Sequence, residues 1–360
     1  MYKLEQEVIE RLDAIRVEKP KDKGEVRLLL LKRKLINLKE KKDKLLASEY
    51  SAVELLKKVD YANIKPKLVF CHPDQRHLWL FYRNILSSAP WSARPGRALY
   101  LFCMDENSGG VLGILDIGSD LMVIGPRDRY IGWSRDRKFG GGLNHIANVG
   151  TCVSSHPFGI LTGGKFQIMA CMSDYVTDAW DKRYGEPIAA VSTTSLFGKS
   201  SVYNRLQAYR YLGDTMGLNI VQLSEDVYQL FLRFLQENHL VARSSARSGG
   251  YTCKYDALVA VCGYLKYSLD KVAAHKPRGV YFAELYPNSL KFLRGVDDSL
   301  DIQVYNMNDT ADWWLDRWYD MRYPKMKAEV EDFDYSQYYV HNQIDYIERL
   351  ISENGDNLVA

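Results

Sequence analysis

The sequence has no stretch of 18 or more apolar residues, which predicts no transmembrane helix. Its first residues, MYKLEQEVIERLDAIRVEK, are charged throughout and include no apolar signal region. They predict a protein that stays in the cytoplasm, the host's if a phage encodes it. No two of its six cysteines stand at CxxC spacing, so Cys71, Cys103, Cys152, Cys171, Cys253 and Cys262 read as thiols. Cys71, His72 and His77 lack a second ligand pair, and no metal is expected. Internal repeats and low-complexity tracts are also missing.

The 360 residues, 46% apolar and 26% charged, suit one core domain with large additions, or two domains. The net charge of +3 hides an asymmetry. Residues 1–60 carry about +4, residues 297–360 about −10, and the middle therefore about +9. A basic middle fits a phosphate-rich partner, and the acidic end reads equally as a solvated tail.

The pattern of apolar residues predicts an α/β (α+β) fold in three parts. Residues 1–60 read as an N-terminal helical arm, with Val8, Leu12 and Ile15 on one face, then Leu28, Leu31, Leu35, Leu38 and Leu45 at near-heptad spacing. Residues 61–220 read as the core. RALYLFCMD and VLGILDIG form a hairpin around Asn107–Gly110, and LMVIG reads as a short strand. LNHIANVGTCVSS is a strand, KFQIMACMSDYVTDAWDKRYG a helix and PIAAVSTTSLFG a strand. SSVYNRLQAYRYLGD reads as a further helix, beginning near Tyr203. Residues 221–360 read as mainly helical, with one strand signal at RGVYFAELY and the acidic tail. The tail and the arm are candidate contacts for a protein partner.

Chemistry concentrates between Gly110 and Gly217. A strand, a glycine turn and a helix lead to Gly163, Gly164 and Lys165, where free N–H groups, the helix dipole and one cation suit a phosphate group. In STTSLFGKSSVYNRL, a strand end presents Thr193 and Thr194, whose hydroxyls could orient an acceptor. Tyr203 follows as a candidate general acid. The loop PRDRYIGWSRDRK offers Arg127, Arg129, Trp133, Arg135, Arg137 and Lys138 for phosphate contact and base stacking. Arg127 with Asp128 reads also as a structural ion pair, and Trp133 as core. His145 is a candidate base or a core histidine.

These segments together resemble the DruA family, a component of Druantia anti-phage defence. The resemblance rests on Arg127, Asp128, Ile131, Gly132 and Trp133, then on Asn148. It continues through Trp180, Asp181, Tyr184 and Gly185 to Gly198, Tyr203, Leu212, Gly213, Thr215 and Gly217. The last part is also similar to the phage Mom proteins, GNAT-fold enzymes that modify adenine in DNA to escape restriction. That likeness implies a GNAT-like mixed sheet flanked by helices, an acyl donor such as acetyl-CoA at the Gly163–Lys165 turn, and Tyr203 as the functional tyrosine. Where Mom proteins carry an aspartate, this chain has Thr193 or Thr194. The resemblance therefore implies a DNA-modifying group transferase, with a non-catalytic DNA-binding subunit of a defence or counter-defence complex as the alternative.

Overall fold

In the computed structural model, the described residues are 2–14, 23–88, 96–196, 198–215, 223, 225–241, 251–269, 272 and 277–355. Their elements, in chain order, begin with α1 (Tyr2–Ala14), α2 (Lys23–Glu40), α3 (Lys42–Lys57), β1 (Pro66–Phe70) and α4 (Arg76–Leu86). Next come β2 (Ala98–Asp105), β3 (Val111–Ser119), α5 (Gly125–Ile131), α6 (Arg135–Phe139) and β4 (Ile146–Ser154). Then follow α7 (His156–Ile160), α8 (Gly163–Ala170), α9 (Asp174–Tyr184), β5 (Ala190–Ser195) and β6 (Arg210–Asp214). The remainder is α10 (Glu225–Glu237), α11 (Tyr251–Tyr264), β7 (Gly279–Glu284), α12 (Ser289–Arg294), α13 (Met307–Trp314), α14 (Asp320–Glu331) and α15 (Val340–Gly355).

Two compact units result, Met1–Lys23 with Met216–Arg278 and Gly24–Thr215 with Gly279–Ala360. The first is a helical cluster. Val8 and Leu12 of α1 pack with Val227, Phe231 and Phe234 of α10 and with Leu258 and Val261 of α11. Ile15 of the predicted apolar face lies outside the described residues.

The second unit is built on a seven-stranded mixed sheet in the order β1-β2-β3-β4-β5-β7-β6. Strand alternation gives the sheet two apolar faces. On one, Leu101, Leu115, Val149, Val191 and Tyr281 bury against Phe158, Phe166, Val176, Trp180 and Trp314. On the other, Phe102 and Ile114 meet Trp79, Tyr82, Val53 and Ile347, while Ile146, Ala190 and Phe282 meet Ile131, Phe292 and Leu293. The mixed sheet flanked by helices is the predicted class. The strand read in RGVYFAELY enters it between β5 and β6. No described helix is long and apolar enough to cross a membrane.

Local expectations needed correction at four places. LMVIG is not a strand: Leu121, Met122 and Val123 form an exposed loop. The helix expected over 165–185 is two helices, because the Ser173 hydroxyl donates to the Ala170 carbonyl at 2.7 Å and ends α8. The helix expected from Tyr203 is a series of turns followed by edge strand β6, since Tyr281 holds the segment from across the sheet. KLVF, unassigned by pattern, is the other edge strand, β1.

Candidate functional site

Among the described strands, β4 and β5 are the one parallel pair, and they pair only over Ile146–Val149 and Ala190–Thr193. Beyond that point β4 stays with β3 and β5 stays with β7. The two strands part company, and a sheet that parts leaves backbone groups facing a split.

Gly150 sits at the start of that split. Its neighbours Val149 and Thr151 pair with Ile117 and Asp116, so Gly150 is an extra residue with no partner on β3. It is exposed although it lies mid-strand. Such a bulge bends the strand and re-aims its backbone groups, as strands often do beside a reaction centre.

Thr193 closes the other side. It is buried, and its hydroxyl donates to the Val149 carbonyl at 3.0 Å. The Tyr203 phenol hydrogen-bonds the Thr193 side chain, and its ring lies 4.6 Å from that of Tyr281 and 5.7 Å from that of Tyr209. Burial, with Cys152 beside it, pushes the Tyr203 phenol well above its usual range, so it holds its proton at neutral pH. Thr194, one residue on, points to the opposite face.

The turn carrying Tyr203 is tied down from two directions. The Ser200 N–H donates to the Tyr281 hydroxyl at 2.8 Å, and that hydroxyl donates to Asn204 Oδ1 at 2.8 Å. From below, Lys165 Nζ on α8 donates to the Ser201 carbonyl at 2.8 Å. Lys165 lies 5.1 Å from the Trp318 ring. Burial lowers its pKa, and the cations Arg205 and Arg322 lower it further. Three positive groups thus lie close together.

At the head of α8, Thr162 is a β-branched residue with φ of 63°, a strained conformation for its type. Its buried hydroxyl has no hydrogen-bond partner among the described residues, and neither does Trp318 Nε1. The two glycines that follow differ. A Cβ on Gly163 would fall 2.1 Å from the Phe158 ring, whereas one on Gly164 would meet only Ser154 Oγ at 3.8 Å. Gly163 is therefore required by packing, and Gly164 is not. Gly163→Ala is expected to cost about 1–3 kcal/mol by overpacking, and Gly164→Ala to lie within about 0.5 kcal/mol of the parent in urea denaturation. Equal losses would mean that the turn is not held by Phe158.

The basic loop turns out to be largely spent inside the fold. Arg127 is fully buried, donating to Asp120 at 2.6 Å, to Asp128 at 2.6 Å and to the Leu121 carbonyl at 2.8 Å. Lys138 is buried as well, 2.7 Å from Asp128. Arg137 donates to the last carbonyls of α12, Phe292 at 2.8 Å and Leu293 at 3.1 Å. Trp133 is half-buried beside Arg127. Of the predicted phosphate-binding side chains, only Arg129 and Arg135 are exposed.

His145 lies at the start of β4, four residues from Val149 and so about 13 Å away along the strand. Its Nδ1 is 2.8 Å from the Pro187 carbonyl. It lines a depression of about 660 Å³ with Arg137, Phe292 and Asp297, apart from Tyr203. The structure thus gathers Tyr203, Thr193 and Lys165, and leaves His145 and the basic loop elsewhere. Gly217 of the sequence motif lies outside the described residues. The sequence reading missed Gly150, Arg205, Arg322 and Trp318. Only Gly150 had a local signal, a glycine inside a strand run.

No solved structure matches the chain. It is 24% identical over 252 residues to the Druantia protein DruA of Escherichia coli (strain UMEA 4076-1), covering 64% of this chain and 62% of that one. The chain therefore spans about three fifths of that relative's length. The sequence profile described as Druantia protein DruA matches residues 20–295, well over half of the chain. On that match the chain belongs to the DruA family.

Proposed function

We propose that the chain is a GNAT-like group transferase acting on DNA bases, with its chemistry in the split between β4 and β5. The observation that carries this reading is the exposed bulge at Gly150 where β4 and β5 part, together with a protonated Tyr203 held against Thr193 of β5. A backbone amide turned into the split can stabilise charge developing on a transferred acyl oxygen. Tyr203 carries the proton for a departing group, and Thr193 fixes the direction of that O–H.

This cluster of cations suits the charge of an anionic acyl donor of the acetyl-CoA kind. Lys165, Arg205 and Arg322 would meet its phosphates, and the orphaned Thr162 Oγ1 and Trp318 Nε1 would gain partners. Such a donor supplies the activated acyl group. No carboxylate stands at 193 or 194. The acceptor would therefore attack as a neutral amine, the exocyclic amine of a base, and lose its proton only after the new bond forms, to the Tyr203 oxygen that has just protonated the departing group. The relative's name supports a use in defence against phage. The missing carboxylate favours the second reading, a subunit that binds DNA without modifying it.

DNA from cells making the parent chain and Tyr203→Phe can be digested and its nucleosides weighed. A new nucleoside is expected with the parent and a loss of about 100-fold with Tyr203→Phe, which keeps the ring stack. Ordinary nucleosides alone from the parent would sink the transferase reading. The second reading would then rest on DNA binding that weakens with salt and survives Tyr203→Phe.

A further inference from the structure

The loop between β3 and α5 exposes three consecutive large apolar residues, Leu121 at 58%, Met122 at 66% and Val123 at 70%. Exposed apolar side chains are common singly, and three in a row at a loop tip are not. A loop of this kind ordinarily collapses onto the nearest apolar surface. This one is held out by what lies beneath it.

Arg127, with no exposed surface, donates to the Leu121 carbonyl and to Asp120. Asp120 in turn accepts from the Leu121 N–H at 2.7 Å. Asp128, one-fifth exposed, and Lys138 complete a set of two carboxylates and two cations. Ile124, the next residue, is buried and anchors the far end. The ion network, which the sequence reads both as a phosphate contact and, for Arg127 with Asp128, as a structural ion pair, is the mount of the knuckle.

Exposed guanidinium groups lie along the helix that follows it. A Cβ built on Gly125 would lie 3.3 Å from Arg129 Nη1, so that guanidinium stands at the foot of the knuckle. Arg294 reaches the other end of α5, donating to the Ile131 carbonyl. Arg210 lies over the Tyr130 ring at 5.3 Å, and Arg135 begins α6. All four are exposed, and Asp136 is the exposed acid among the residues of α5 and α6.

We propose that Leu121, Met122 and Val123 form a wedge that enters double-stranded DNA between base pairs, with Arg129 and Arg135 on the flanking phosphates. This rests on the reading that DNA is the partner, and adds where on the chain the duplex is opened. Apolar wedges with arginines beside them unstack a base step in this way. Three residues span about 10 Å, the scale of a groove, whereas a stable protein interface needs about 800 Å² per side. Arginine forks also match phosphate oxygens in pairs.

The test uses the full chain, a duplex carrying 2-aminopurine, and anionic phosphatidylserine vesicles. The parent is expected to bind the duplex with a salt-dependent Kd and to raise 2-aminopurine fluorescence. The triple variant Leu121→Ser, Met122→Ser, Val123→Ser should lose the fluorescence rise and bind about tenfold or more weakly, with the salt slope kept. Arg129→Ala with Arg135→Ala should instead reduce that slope by about 2. DNA binding with equal fluorescence rise in parent and triple variant overturns the wedge and leaves the DNA reading standing. Absence of any DNA binding overturns both. Binding to the vesicles that the triple variant loses, without effect on DNA, makes the knuckle a membrane contact and overturns the wedge.

Discussion

Replacing Arg127 by methionine is expected to destabilise the sheet-bearing unit by about 3–5 kcal/mol, the usual result of removing one partner from a buried ion network. Asp120 has no exposed side-chain surface and would lose the Arg127 guanidinium. Asp128 keeps Lys138 and is itself one-fifth exposed, so it is less affected. The Leu121 carbonyl loses its donor too. Lysine is no substitute, because one ammonium cannot span Asp120, Asp128 and Leu121 as a planar fork does. Adding Asp120→Asn to Arg127→Met removes the unpaired charge and should recover at least about half of the loss. Urea denaturation of the three proteins measures this, and a loss under 1 kcal/mol for Arg127→Met would show that the network is not what fixes the loop.

That residue also shows where the sequence was readable. Arg, Asp, Arg and Lys in a short loop read as a basic surface because composition does not say which side chains turn inward. Arg127 and Lys138 turn in because two aspartates wait there, and Asp120 lies outside the stretch that looked basic. The β2–β3 hairpin, β4 and β5 were legible because each is a long apolar run with its own turn signal. The 198–209 turn was not, because its ties come from Tyr281 and Lys165, tens of residues away. The site divides in the same way. Tyr203, Thr193 and Lys165 could each be chosen on local chemistry, and their meeting at one end of the sheet follows from the β4–β5 pairing. Arg322 and Trp318 come from a segment that reads only as an aromatic helix, so nothing local joins them to α8.

The clearest pH signature should come from Lys34. It is buried in α2, donating to the Ile85 carbonyl at 2.6 Å and to Gln343 Oε1 at 3.0 Å, and no carboxylate among the described residues pairs with it. Burial, with Arg83 nearby, lowers its pKa to about 8. The folded state thus binds this proton less tightly than the unfolded chain does. Below pH 8 the lysine is charged in both states, and folding bears the full cost of burying it. As pH rises from 8 toward 10.5 the folded lysine is neutral while the unfolded one is still charged, so stability rises. The whole swing is about 3 kcal/mol. Lys34→Met carries no such proton. Near pH 7 it trades relief of the buried charge against two lost hydrogen bonds and should differ little from the parent. By pH 10 the parent has shed its charge and kept its bonds, so the variant should fall behind by about 3 kcal/mol. Buried tyrosines such as Tyr82 lose stability above pH 10 in both proteins, and that contribution cancels in the difference. Urea denaturation of parent and variant at pH 7 and pH 10 decides it. A difference that stays flat between the two would mean that Lys34 is neutral, or solvated, already at pH 7.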